Sequence, residues 1–460
     1  MMRISREHDT RRFDSTVAKL RKRVSQRFMD RFVIQGGHHL SGTVTISGSK
    51  NTALPLMSAA LLTDEPVQIS NIPDLKDITT FSRVMAVTGT SVEYNRDNGT
   101  IRIDAGTLNN PVAPYELVKR MRASFYMLGA LLGRVGKARV SLPGGCAWGP
   151  RPVGLHIDGL KAFGATIDLD QGYVVGSAPG DRLPGGIFKM EPSSVGATVN
   201  LLLAAVTAAG GSRIENAAIE PDVVVFSEML QKMGAVIHGI GTPILEIEGV
   251  DKLSGGNFYN CSDRIELGTF MIAAAISGKP GDEIAMFNAE PRHLGDTFLD
   301  KFKETGAEIR TDGSTVYVKT PEKLSAVSVT TEIFPGFPTD LQAQWTVLLA
   351  CCDGNGKVRE TIYPDRFKHI PELRRMGINA IVVGDEVVVE GGGVFQGAQV
   401  MSTDLRASVS LVLAGMVASG TTYVQRVYHL DRGYENLEGK LAGLGARVVR
   451  EQFDEWADPS

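Results

Sequence analysis

The stretch SVGATVNLLLAAVTAAGGSRIENAAIEPDV, residues 194–223, decides the fold. Ser194 is suited to cap a helix, and no charged residue follows it until Arg213. A helix without charge on any side is buried on every side. Gly210 and Gly211 then break it, and SRIE alternates as a short strand does. Five more stretches follow the same plan: SKNTALPLMSAALL from Ser49, RASFYMLGALLGRVG from Arg122, DRIELGTFMIAAAISG from Asp263, TDLQAQWTVLLACCDG from Thr339 and TDLRASVSLVLAGMVASG from Thr403. Each opens on a polar residue, runs through small or apolar side chains, breaks, and resumes as a strand.

A second mark fixes the period. The segments AVTGTSVEY, AFGATID, KMGAVIH, ETGAEIR, RMGINAI and GLGARVV each end an amphipathic helix at a glycine and turn into a strand. Their glycines, Gly89, Gly164, Gly234, Gly306, Gly377 and Gly445, stand 68 to 75 residues apart. Glycine is the residue that closes a helix in the left-handed conformation without steric cost. Six such units read as an α/β protein of two domains, three units each, with buried helices inside and sheets outside. The expected boundaries are an N-terminal extension over 1–32, a first domain over 50–261, and a second built from 33–49 plus 262–460. The cleft between the domains is the expected ligand site.

The 460 residues are 43% hydrophobic and 22% charged, as in ordinary soluble proteins. A net charge of −4 leaves no footprint for nucleic acid or acidic membranes. No apolar run is long enough to span a bilayer. The cysteines, Cys146, Cys261, Cys351 and Cys352, form neither a disulfide framework nor the paired spacing of a zinc site, so a reducing cytoplasm is the expected location. The first residues are basic and lack the apolar core of a secretory signal. Val17, Leu20, Val24 and Phe28 recur at helical spacing and suggest an amphipathic helix with a basic face.

The openings of these nearly charge-free helices carry candidate ligands. They are Lys50 and Asn51, Arg122, Ser194-Val195-Gly196, Asp263 and Arg264, Thr339 and Asp340, then Thr403, Asp404 and Arg406. A helix N-terminus offers free N–H groups and the positive end of the dipole. Ser194 and Asp404 read equally well as simple caps. Lys50, Arg122 and Arg406 oppose the dipole, so they read as anion ligands. Arg151, Arg366 and Arg432 stand where strands end, and six converging cations suit a small substrate carrying phosphate and carboxylate. The loop LPGGCAWGPRP, residues 142–152, sets Cys146 beside a glycine pair and near Arg151. Nearby arginines lower a thiol's pKa, making it a proton donor or nucleophile. The other cysteines border or lie in apolar runs and read as packing residues.

With these residues laid out, the chain resembles the UDP-N-acetylglucosamine enolpyruvyl transferases. The stretches that carry the resemblance are GSKNTALP, RASFYMLGALL, LPGGCAWGPRPVGLH, SSVGAT, DRIELGTF, FPTDLQAQ, DRFKHIPEL, TDLRASVSLVLAG and YHLDRGYENLEGKL, in family order over about residues 33–450. The resemblance implies two inside-out α/β barrel domains closing on a uridine nucleotide sugar and phosphoenolpyruvate. It implies transfer of the enolpyruvyl group to the sugar 3-hydroxyl with release of phosphate, the first committed step of peptidoglycan synthesis. It implies no metal and no organic cofactor.

Residue by residue, Cys146 matches the loop cysteine that protonates C3 of phosphoenolpyruvate and is the target of the epoxide fosfomycin. Asp340 matches the carboxylate that accepts the hydroxyl proton. Lys50, Arg122, Arg151, Arg366, Arg406 and Arg432 match the cations around phosphoenolpyruvate and the phosphates. Lys50 and Arg432 are also expected to take part in the chemistry. Asn51, Arg151, Pro152, Ser194, Val195, Gly196, Thr339 and Asp340 match contacts to the nucleotide sugar.

Departures from the family pattern gather on the nucleotide side: Gly154 where an acidic residue is usual, Pro192 where a basic one is, Ser262 in place of proline, and a bulky Trp148. They leave two alternatives open. One is transfer to another uridine nucleotide such as UMP, and the other is a paralogue that binds nucleotide sugar without catalysis.

Overall fold

The computed structural model describes residues 28–119, 121–143 and 153–454. Each unit contributes one buried helix: α1 (Lys50–Ala59), α2 (Tyr126–Val135), α3 (Val195–Ala205), α4 (Arg264–Ser277), α5 (Gln342–Cys351) and α6 (Leu405–Val417). In α3 every residue from Ala197 to Ala205 is buried, as its lack of charge requires. Short 3-10 turns precede two of these helices, Arg122–Phe125 before α2 and Thr339–Leu341 before α5.

The helices pack around two separate cores. One gathers apolar residues between Ala53 and Leu253, the other Phe32–Ile46 and Ile265–Val448. Inside the first, α2 and α3 lie close enough that the Gly129 N–H donates to Asn200 Oδ1 at 2.6 Å. A Cβ on Gly129 would stand 2.1 Å from the Asn200 carbonyl oxygen, so only glycine permits that approach. The second core holds Trp345, fully buried and edge-on to Phe337 and Phe298.

Each unit is covered by a four-stranded sheet. In the third unit, Gly211–Glu215 follows α3, pairs parallel with Ile187–Lys189 and antiparallel with Ile244–Glu248, which also pairs with Val236–His238. Amphipathic helices lead into the hairpins. The one over Lys76–Val87 buries Ile78, Phe81, Val84 and Met85 at helical spacing. All six turn glycines have φ between 87° and 104°, the left-handed C-cap that the sequence pattern requires.

The sixth sheet departs from the expected boundaries. Its strand Arg447–Asp454 and the strand Thr421–Gln425 both pair with Phe28–Gln35, which fills the position between them. The strand Phe28–Gln35 thus begins inside the stretch read as an extension, and Phe28 stands on a strand where the helical spacing had placed it on a helix. Val17, Leu20 and Val24 lie outside the described residues.

The chain passes between the two cores twice, at 46–49 and 260–263, and the passes are tied together. The Ser49 N–H donates to the Cys261 carbonyl at 2.7 Å and the Asp263 N–H to the Ser47 carbonyl at 2.8 Å. Among the described residues no helix is long and apolar enough to cross a membrane.

Candidate active site

A cavity of about 480 Å³ opens between the two cores. The first half supplies Lys50, Asn51, Asp77, Arg122 and the Ser194-Val195-Gly196 turn; the second supplies Arg264, Thr339, Asp340, Ile362, Tyr363 and Arg432. Helix starts converge here: the first residues of α1, α3 and α4, and the 3-10 turns that precede α2 and α5, line the cavity. Ser194 caps α3, its hydroxyl accepting from the Ala197 N–H at 3.3 Å. Asp404 caps α6 through the N–H groups of Arg406 and Ala407, at 2.9 and 3.0 Å. Both fulfil the capping reading, while the Ser194 turn also forms cavity wall. In α1, Pro55 lacks the N–H that would bond the Asn51 carbonyl one turn back, which leaves that oxygen without its helical partner at the cavity edge.

Two carboxylates organise the cations. Asp340 Oδ1 accepts from Arg366 Nη2 at 2.6 Å and from Arg406 Nε at 3.1 Å. Burial opposes the Asp340 charge, but Arg406 and Arg366 outweigh it and hold the carboxyl far below the usual range. Arg366 and Arg406 are themselves only 7% and 8% exposed. Arg366 Nη1 also donates to Thr339 Oγ1 at 2.7 Å, and that hydroxyl donates to the fully buried Glu360 at 2.8 Å. Glu360 further accepts from the N–H groups of Ile362 and Tyr363, both at 2.9 Å, and so shapes the cavity wall.

Asp77 is the second. It accepts from Lys50 Nζ at 3.1 Å and Arg432 Nε at 3.2 Å. Burial opposes its charge too, and Lys50 and Arg432 together bring its pKa below the ordinary carboxylate value. Between these groups Asp222 holds the hydroxyls of Ser49 and Thr52 and faces Arg264 at 3.6 Å. His156, on the wall beside Gly196, accepts at Nδ1 from the Asn200 amide at 2.9 Å. Burial, then Arg122, pushes it down to about 3, so it is neutral.

Of the sequence-derived residues, Lys50, Asn51, Arg122, Ser194, Val195, Gly196, Thr339, Asp340 and Arg432 line one cavity. Arg366 and Arg406 stand off its lining and grip Asp340. Cys146, Arg151 and Pro152 lie outside the described residues, as does Trp148. The other three cysteines behave as packing residues: burial raises all their pKa values, that of Cys352 to about 12. Sequence reasoning missed Asp77, Asp222, Glu360 and His156. An acidic residue in a helix's first turn, such as Asp77, has an ordinary dipole explanation, and Glu360 lies in an unremarkable strand end. No cluster of metal-ligating side chains occurs among the described residues.

Two inside-out halves around a cation-lined cleft define the enolpyruvyl transferase class. A family model described as EPSP synthase (3-phosphoshikimate 1-carboxyvinyltransferase) matches residues 34–441, and the chain belongs to that family. Within it, the chain is 48% identical over 432 residues to the UDP-N-acetylglucosamine 1-carboxyvinyltransferase of Chloroherpeton thalassium, covering 94% of this chain and 99% of that one. It is 51% identical over 423 residues to the enzyme of the same name from Enterobacter cloacae, covering 92% and 99%. Among solved structures, the enolpyruvyl transferase NikO from Streptomyces tendae superposes with a TM-score of 0.83 at 26% identity, over 93% of this chain and all of that one. An EPSP synthase from Acinetobacter baumannii, at TM-score 0.72 and 20% identity over 92% of this chain and all of that one, shares the fold.

Proposed function

We propose that this protein transfers the enolpyruvyl group of phosphoenolpyruvate to the 3-hydroxyl of UDP-N-acetylglucosamine and releases phosphate. The observation that carries the reading is identity of 48–51% to enzymes of that name over nearly the whole of both chains. The cavity chemistry agrees with it. The sugar oxygen bonds C2 of phosphoenolpyruvate while C3 takes a proton. Loss of a proton from C3 and departure of phosphate from C2 then restore the double bond. Such a reaction needs an acid for carbon, a base for the hydroxyl and cations for the departing phosphate.

Cys146 is assigned the acid and Asp340 the base. Two arginines keep Asp340 ionised and therefore ready to accept, while holding its basicity low. Substrate anions that draw Arg366 and Arg406 away raise that basicity when it is needed. Lys50, Arg122, Arg151 and Arg432 receive the phosphate and carboxylate. Asn51, Pro152, the Ser194–Gly196 turn and Thr339 receive the nucleotide sugar. The cytoplasm suits two soluble phosphorylated substrates. UMP as acceptor has weaker support, because the relatives at 48–51% identity carry the nucleotide-sugar name. The non-catalytic reading is disfavoured by a carboxylate and two arginines kept in register at the cleft.

The test is phosphate release from phosphoenolpyruvate with UDP-N-acetylglucosamine and UMP in parallel. Turnover with the nucleotide sugar is expected, and preference for UMP refutes the assignment. Asp340→Asn should cut kcat by about 10²–10⁴ with the fold intact; near-normal turnover removes Asp340 from the base role.

A further inference from the structure

We infer that Asp77 is a positioning residue that holds Lys50 and Arg432, one from each half of the molecule, as a matched pair for the anionic substrate. The inference rests on the reading that these two cations receive that substrate. Lys50 belongs with the first core and opens α1; Arg432 belongs with the second and lies more than 350 residues away in sequence, with 382 positions separating it from Lys50. Two like charges this close repel, and the Lys50 side chain is only 14% exposed, so water screens it little. Asp77, 5% exposed, gives one carboxylate oxygen to each cation.

The donor count separates positioning from competition. A lysine ammonium has three N–H groups. Lys50 gives one to Asp77 and one to the Arg432 carbonyl at 2.8 Å, which leaves a third for a ligand. Asp77 meets Arg432 at Nε, so the two terminal nitrogens stay available as a fork for phosphate or carboxylate. A competing counterion would occupy that fork. Asp77 holds the cations by the atoms the substrate does not need.

Its own place is fixed on both sides. Asp77 lies in the first turn of the helix over Lys76–Val87, where the dipole favours a carboxylate. Its neighbours form a seam across the cleft: Lys76 reaches Asp431 at 3.0 Å, and the Asp74 N–H donates to Glu435 at 2.7 Å. The segment 74–77 therefore registers against 431–435, and Asp77 ties that register to the anion site.

The experiment is steady-state kinetics of Asp77→Asn and Asp77→Glu, varying each substrate in turn, with melting temperatures. Asp77→Asn should raise the KM for phosphoenolpyruvate about tenfold or more. The KM for the nucleotide sugar should stay within about threefold, with Tm little changed and Asp77→Glu recovering part of the loss. A lower or unchanged phosphoenolpyruvate KM would mean that Asp77 merely competes, and it overturns the inference. Parallel rises in both KM values with a falling Tm would also overturn it, as the mark of a structural role. Lys50→Ala and Arg432→Ala complete the set. If neither moves the phosphoenolpyruvate KM, the underlying reading fails; if both raise it and Asp77→Asn does not, the inference alone fails.

Discussion

Single residues in this cleft owe their charge states to burial and to one or two neighbours. His156 is the clearest case. Burial disfavours its charged form first and Arg122 adds repulsion, while its Nδ1 accepts from the Asn200 amide, so protonation there would also set a donor against a donor. The folded pKa of about 3 lies below the ordinary 6.5. A depressed histidine contributes stability above its unfolded pKa and loses it as pH falls toward the folded value. Wild-type stability should therefore fall by about 1.4 kcal/mol per pH unit from this group alone between pH 6 and pH 4. His156→Gln, whose carbonyl can accept the same bond, should show a slope shallower by about one proton in urea titrations at several pH values. Equal slopes would place the proton elsewhere. The sequence did not single out His156, because its hydrogen-bond partner Asn200 stands 44 residues away and its burial is set by the fold.

At the scale of elements, the scarcity of charge in six helices was readable as burial, and most of each helix is buried. What the sequence could not state is how closely the helices approach. Gly129 is a glycine because α3 passes against α2 at its position, with the Asn200 carbonyl where a Cβ would go. Gly129→Ala should destabilise the protein by about 2–3 kcal/mol through overpacking. Gly154→Ala makes the contrast: its Cβ would meet nothing nearer than Asp158 Oδ2 at 3.9 Å, and alanine favours a helix start, so stability should hold or rise slightly. Denaturant midpoints of the two variants decide it, and equal midpoints would show that α2 can move away from α3. The six turn glycines were legible without any such contact, since their conformation is set by the chain's own geometry.

For the whole molecule, the relation between the halves governs the site. Each half has its own core, yet the cavity draws walls from both and two tied chain passages join them. A nucleotide bound across the cleft should stabilise both halves at once, by about 2.7 kcal/mol at a hundredfold excess over Kd. Trp345 lies in the second core and reports on it alone once Trp148 and Trp456 are replaced by phenylalanine. With UDP-N-acetylglucosamine, the Trp345 fluorescence melt and the circular-dichroism melt should rise together. A rise in only one would mean that the ligand rests on one half.

The sequence by itself determined the repeat, the buried helices, the glycine turns and the cations and carboxylate gathered at helix starts. These follow from spacing and side-chain type within a few turns of chain. The tertiary structure decided that Arg366 and Arg406 hold Asp340, that Asp77 binds Lys50 to Arg432, and that Phe28–Gln35 completes the last sheet. The partners in those contacts stand from 26 to more than 400 positions apart. Local periodicity places a residue on a face; only the closing of the two halves chooses which charge it meets.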